Sequence, residues 1–175
     1  MVEHVFSHLA LVVTDVEKVA TFYVEGLGFR RGERYSAAGR RVSGLMDIEP
    51  DGFEGVFLGR GDFRLELLGY RTPVDAGERP RIASKPGYAH TSFVVDDFER
   101  AIEAIERAGG RLLHRLHNQY VGPGETAIAF CADPDGNRVE LIWHPSQGEA
   151  DAHIGFLGIA GIGWPARNQI AVGSR

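Results

Sequence analysis

The sequence predicts an α+β protein made of two similar modules, each a strand, a helix and then three strands, a βαβββ order. Three observations carry this. The stretch "HLALVVTDVEKVATFYVEGLGFR" from His8 has the same layout as "HTSFVVDDFERAIEAIERAGGRL" from His90, a self-similarity that marks an internal repeat. Each copy ends in a strand with a glutamate inside it, Glu66 in "RLELL" and Glu140 in "RVELI". Between the copies, "RTPVDAGERPRIASKPG" (Arg71 to Gly87) carries the prolines and charges of a linker. The expected organisation is a first module over 1–72, a linker over 73–87, a second module over 88–145 and an appended Gly- and Ala-rich tail over 146–175.

Each element has a local reason. In the first copy a short apolar strand follows His8 and reaches Asp15, a residue type that caps helix N-termini. Val16, Val19, Ala20 and Tyr23 then recur at helical spacing, and Gly26 and Gly28 stop the helix where a left-handed residue is needed. A second strand follows. "VSGLMDI" and "GVFLGR" read as further strands before "RLELL". The second copy repeats the plan: strand, Asp97 as cap, Phe98, Ile102 and Ile105 on one helix face, Gly109 and Gly110 as the stop, then "RLLHRLHNQY", "ETAIAFCAD" and "RVELI". The His-to-Glu separations are 58 and 50 residues, so the first copy has the longer middle.

Composition bounds the function. At 175 residues, 43% hydrophobic and 25% charged, the chain is an ordinary globular protein. A formal charge of −5 and a pI near 5.8 offer no basic footprint for nucleic acid. One cysteine, Cys131, excludes an internal disulfide and a thiolate metal cluster; its apolar setting reads as a small core residue. The N-terminus lacks a basic segment before its short apolar run, so no signal peptide or membrane span is expected, and the expected location is cytoplasmic. The arginines Arg30, Arg31, Arg34, Arg40 and Arg41 read as a solvated face able to attract an anionic substrate.

The repeat gives meaning to four residues. Each copy has a histidine at the mouth of its first strand and a glutamate within its last: His8 with Glu66, His90 with Glu140. A carboxylate flanked by Leu, Val and Ile is costly to bury without a compensating charge. By strand alternation Glu66 shares a face with Arg64 and Leu68, and Leu65 and Leu67 share the other. If the copies pack as pseudo-twofold mates, these imidazoles and carboxylates converge as ligands of one divalent cation. His4, His114, His117 and His144 lack counterparts and read as structural or solvent-facing. Phe53, Phe57, Phe63, Tyr70, Tyr120 and Trp143 read mainly as core, with some lining the cleft between modules.

At these residues, in "HLALVVTDVEKVATFY", "LGF", "RLELL", "GYAHTSFVVDD", "GG" and "DPDGNRVELI", the chain resembles the vicinal oxygen chelate superfamily, the glyoxalase, bleomycin-resistance and dioxygenase group. The resemblance covers about Val5 to Trp143 and is closest to glyoxalase I of the compact bacterial type. It implies paired βαβββ modules whose curved mixed sheets enclose a metal-site cleft. It also implies one divalent ion (Ni, Co, Zn, Mn or Fe) on His8, Glu66, His90 and Glu140, and no organic cofactor. In that family an arginine four residues after the first ligand and an asparagine four after the second help hold glutathione; here those places are Val12 and Tyr70.

The activity so implied is a metal-dependent lyase or isomerase that works through a metal-stabilised enediolate on a small carbonyl or thioester substrate. Glu66 or Glu140 serves as the general base. The competing readings are an epimerase of the methylmalonyl-CoA type, an Fe(II) dioxygenase of the extradiol type, and a resistance protein that binds a drug without catalysis. A homodimer is expected because open modules expose sheet edges and a cleft. In that dimer His8 and Glu66 of one chain would meet His90 and Glu140 of the other.

Overall fold

A computed structural model of the chain describes residues 5–48, 51–72, 86–117 and 127–143. These residues form two four-stranded mixed sheets and, among them, no closed barrel. The strands are β1 (Leu9–Val12), β2 (Arg30–Ala37), β3 (Phe53–Arg60) and β4 (Phe63–Tyr70) in one sheet, and β5 (Thr91–Val95), β6 (Arg111–His117), β7 (Ala127–Ala132) and β8 (Arg138–Trp143) in the other. The sheet orders are β1-β4-β3-β2 and β5-β8-β7-β6, the same permutation twice. In each, the first strand runs parallel to the last and the other pairings are antiparallel. Most of the linker (73–85) and the whole tail (146–175) lie outside the described residues.

The helices begin as the sequence dictates. Asp15 caps α1 (Val16–Thr21) by accepting the Lys18 N–H, and Asp97 caps α3 (Phe98–Arg107) by accepting the Arg100 N–H. The caps have nearly the same backbone angles, φ −137 and ψ 103 against φ −136 and ψ 106, so the repeat extends to local geometry. Past their ends Gly28 and Gly109 adopt positive φ of 69 and 87, the left-handed turn expected of a helix stop. One feature was not legible: α1 widens into a π-helical turn over Phe22–Gly26. The wider turn rotates less per residue, and the adjacent Phe22 and Tyr23 both become fully buried.

The segment "VSGLMDI", expected as a strand, instead lies largely within a short helix, α2 (Arg40–Met46). It buries none of its residues, and Leu45 is 84% exposed. A strand here would need a neighbour for its backbone, whereas a helix satisfies much of its own hydrogen bonding. Arg40, Arg41, Leu45 and Met46 are also good helix formers.

The core lies between the helices and the backs of both sheets. Val16, Val19, Phe22, Leu65 and Leu67 of the first module share one cluster with Ile102, Ile105, Ala129, Cys131, Val139 and Leu141 of the second. The modules are also tied at the turns. The Thr14 N–H and hydroxyl donate to the Asp135 carboxylate at 2.5 and 2.7 Å. Between the modules, the Arg60 guanidinium stands 5.7 Å over the Phe93 ring. Burial of Tyr23 beside Asp133 pushes its phenol far above the ordinary value, so it stays neutral inside this seam. No helix among the described residues is long and apolar enough to cross a membrane.

Candidate metal centre

Strand period places the four ligand-type residues. In β4, Leu65 and Leu67 turn to the core with no exposure, so Glu66 points to the opposite face. In β8, Val139 and Leu141 do the same for Glu140. Glu66 is the register partner of Ala10 on β1, and Glu140 of Ser92 on β5. His8 and His90 stand two residues before Ala10 and Ser92, hence on the same faces as the glutamates beside them.

The outcome is the same pair built twice. His8 Nε2 lies 3.1 Å from Glu66 Oε2, and His90 Nε2 lies 3.5 Å from Glu140 Oε2. The glutamate side chains are 12% and 15% exposed, and the histidines 34% and 35%. Across the sheet each glutamate faces a phenylalanine, Phe57 for Glu66 and Phe130 for Glu140. The His8 ring meets Phe57 edge-on at 5.4 Å, and the His90 ring meets Phe130 at 5.3 Å. Each pair thus has an apolar floor and an open side.

This donor set fits a divalent cation. Two ligands each ~2.1 Å from a shared ion, at roughly 90–110° to one another, stand about 3.0–3.4 Å apart; the first pair, at 3.1 Å, falls in that range and the second, at 3.5 Å, lies just beyond it. Imidazole with carboxylate suits zinc, nickel, cobalt, manganese or iron alike. These donors come together two at a time among the described residues. Among the described residues no group of three or more His, Cys, Asp or Glu side chains gathers at one point. The four residues expected to share one ion therefore stand as two separate His–Glu pairs in this chain. Both sheets turn their helix-covered backs to the shared core, so each His–Glu pair looks away from it.

A further residue joins the first pair. Tyr35 on β2 donates its hydroxyl to Glu66 Oε1. Burial first, and then this carboxylate, raise the Tyr35 phenol well above its ordinary value and keep it a donor. Sequence reasoning missed Tyr35 and Phe130. The repeated phenylalanine in "VFLG" and "AFCA" was a signal for the second. Nothing in the sequence signalled Tyr35, because its reach depends on cross-strand register.

Other expected contributors fall away from the pair. Arg31 bonds Glu17, and Arg34 meets Glu17 at 2.7 Å and Glu54 at 2.6 Å, so surface carboxylates answer much of the arginine run. A cleft of about 550 Å³, lined by Thr14, Arg34, Tyr35, Ser36, Glu54, Gly69, Tyr70 and Arg71, touches the centre through Tyr35. Val12 is 47% exposed and Tyr70 packs edge-on against Phe53, so the two places that depart from the family pattern carry an exposed methyl-bearing side chain and a phenol. Phe53 is core, while Phe57, Phe63 and Trp143 are half-buried. His114 is exposed on β6; His117 pairs through its backbone with Ala127. His4, Tyr120 and His144 lie outside the described residues.

Comparison with known proteins agrees with this architecture. The family model for the Glyoxalase/Bleomycin resistance protein/Dioxygenase superfamily matches residues 5–141. A protein named lactoylglutathione lyase from Neisseria meningitidis serogroup A is 30% identical over 149 residues, which cover 83% of this chain and 95% of that one. One named probable lactoylglutathione lyase, chloroplastic, from Arabidopsis thaliana is 29% identical over 142 residues, and there the match spans 77% of this chain but 34% of the relative. Among solved structures, a glyoxalase family protein from Bacillus cereus superposes with a TM-score of 0.67 at 18% identity, covering 79% of this chain and 92% of that one. With the twice-built βαβββ sheet and a family match over most of its length, the chain belongs to the Glyoxalase/Bleomycin resistance protein/Dioxygenase superfamily.

Proposed function

We propose that this chain is a metal-dependent enzyme of the glyoxalase I type, a lyase or isomerase acting on a small carbonyl or thioester substrate. Its site is shared by two copies of the chain, with His8 and Glu66 of one completing His90 and Glu140 of the other. The observation that carries this is the duplicated pair itself: two His–Glu units at ligand spacing, 3.1 and 3.5 Å, on the open faces of two equivalent sheets. A half-set of donors in each module gives a reason for the chain to dimerise. Relatives named lactoylglutathione lyase at 30% identity support the same reading.

When bound, a divalent cation supplies Lewis acidity toward a substrate carbonyl oxygen and so acidifies the neighbouring C–H. The chain's own groups do the rest. Glu66 or Glu140 takes the proton from one carbon and returns it to the next. Phe57 and Phe130 form a dry floor that strengthens the electrostatics at the carboxylates. The departures at Val12 and Tyr70 favour a carrier other than glutathione, so an epimerisation beside a thioester is the second reading of the substrate.

The test is elemental analysis of the purified protein, followed by assays of hemithioacetals and acyl-CoA epimers with the metal restored. We expect one metal per chain, loss of turnover with a chelator, and loss of metal and turnover in Glu66→Gln and Glu140→Gln. Full metal content and activity in both variants would end the proposal.

A further inference from the structure

The two half-sites differ in their outer contacts: Ser7 Oγ lies 2.9 Å from His8 Nδ1 where Ala89 precedes His90, and a phenol reaches the first glutamate alone among the described residues. Glu66 presents Oε2 to His8, and its other oxygen, Oε1, accepts the Tyr35 hydroxyl. Tyr35 sits on β2 and reaches β4 by lying across β3. Its neighbour there is Gly55, where a Cβ would stand 2.5 Å from the Tyr35 ring. The ring stacks on Phe57 with centroids 5.6 Å apart and planes 21° apart, and Phe57 in turn takes the edge of the His8 ring. Phenol, floor, imidazole and carboxylate therefore hold one another in place.

Among the described residues the second module has no such arrangement. Gly55 lies two residues before Phe57; the matching position before Phe130 is Ile128, whose partner on β6 is Leu116. Leucine has no donor, and a branched Ile128 stands where the first module has glycine. Leu116 is 59% exposed. Among the described residues Glu140 meets His90 at 3.5 Å and receives no hydroxyl.

We infer that Tyr35 is a positioning residue for the metal ligand Glu66. By occupying Oε1 it leaves Oε2, beside His8, as the single oxygen offered to the ion, and it makes Glu66 the fixed carboxylate and Glu140 the movable one. This rests on the metal-site reading above. Hydrogen-bond partners of ligands orient them and change metal affinity by ~10–100-fold when removed, and a phenol held by stacking costs little further entropy to use.

The test is a Co²⁺ titration of the full-length, metal-stripped protein, read by calorimetry and by the visible absorption of the bound ion. Tyr35→Phe keeps the ring and its stacking and deletes only the hydroxyl. It should weaken Co²⁺ binding about 10-fold and alter the absorption bands, with the unfolding temperature of the metal-free protein unchanged. Gly55→Ala, which displaces the phenol without removing it, should reproduce the loss; Leu116→Ala should not. Glu66→Gln should cost more affinity than Glu140→Gln. A wild type that takes up no Co²⁺ overturns the metal reading and this inference with it. Normal wild-type binding with an indifferent Tyr35→Phe overturns this inference alone.

Discussion

Glu66 and Glu140 sit where hydrocarbon would be cheaper: each lies between two side chains that the core buries completely. A carboxylate there is tolerated because its own face is open and carries a histidine and, for Glu66, a phenol. Cys131 shows the opposite case, a group with no partner chemistry. It is fully buried, and burial, then the charge of Glu106, push its thiol up to about 11. The thiolate is the reactive form, so at pH 8 the native protein should resist thiol reagents and become labelled only when denaturant is added. Rapid labelling of the folded protein would show that β7 opens.

At the scale of elements, the close fit between modules is set where α3 ends. Gly110 lies against the π-helical turn, and a Cβ there would stand 2.4 Å from the Phe22 ring and 2.8 Å from the Ala132 carbonyl oxygen. A ring and a backbone carbonyl in a packed seam have little room to give. Gly110→Ala is therefore expected to lose about 1–3 kcal/mol of stability by denaturant unfolding, the usual cost of overpacking. Gly44→Ala in α2, where a Cβ meets nothing within 4 Å, is the control and should be neutral or slightly stabilising. Equal stabilities for both variants would mean that the seam is looser than its geometry.

At the scale of the whole molecule, the proposed sharing of the site between two chains predicts complementation. One variant carries His8→Ala with Glu66→Gln, the other His90→Ala with Glu140→Gln, and neither homodimer has an intact site. Mixed and reassociated in equal amounts, half of the dimers are hybrids with one good site of two, so about a quarter of wild-type activity should return. No recovery, with hybrid dimers shown to form by mass spectrometry, would overturn the shared site.

The repeat, the helix caps at Asp15 and Asp97, the glycine stops and the alternation around Glu66 and Glu140 were all readable before any coordinates, because each rests on neighbours a few residues apart. Those local rules also name which face each glutamate occupies. They do not say which faces of two sheets turn toward each other. That depends on where the helices of both modules find a common core, and here they share one, which directs the His–Glu pairs away from it and apart. Tyr35 belongs to the same category: its bond to Glu66 spans three strands and needs the gap at Gly55, a matter of register across the sheet. The α2 segment departs from the strand its sequence suggests for the converse reason. Its apolar residues suggest burial, yet among the described residues no strand pairs with it, and a backbone without a neighbour closes its hydrogen bonds on itself.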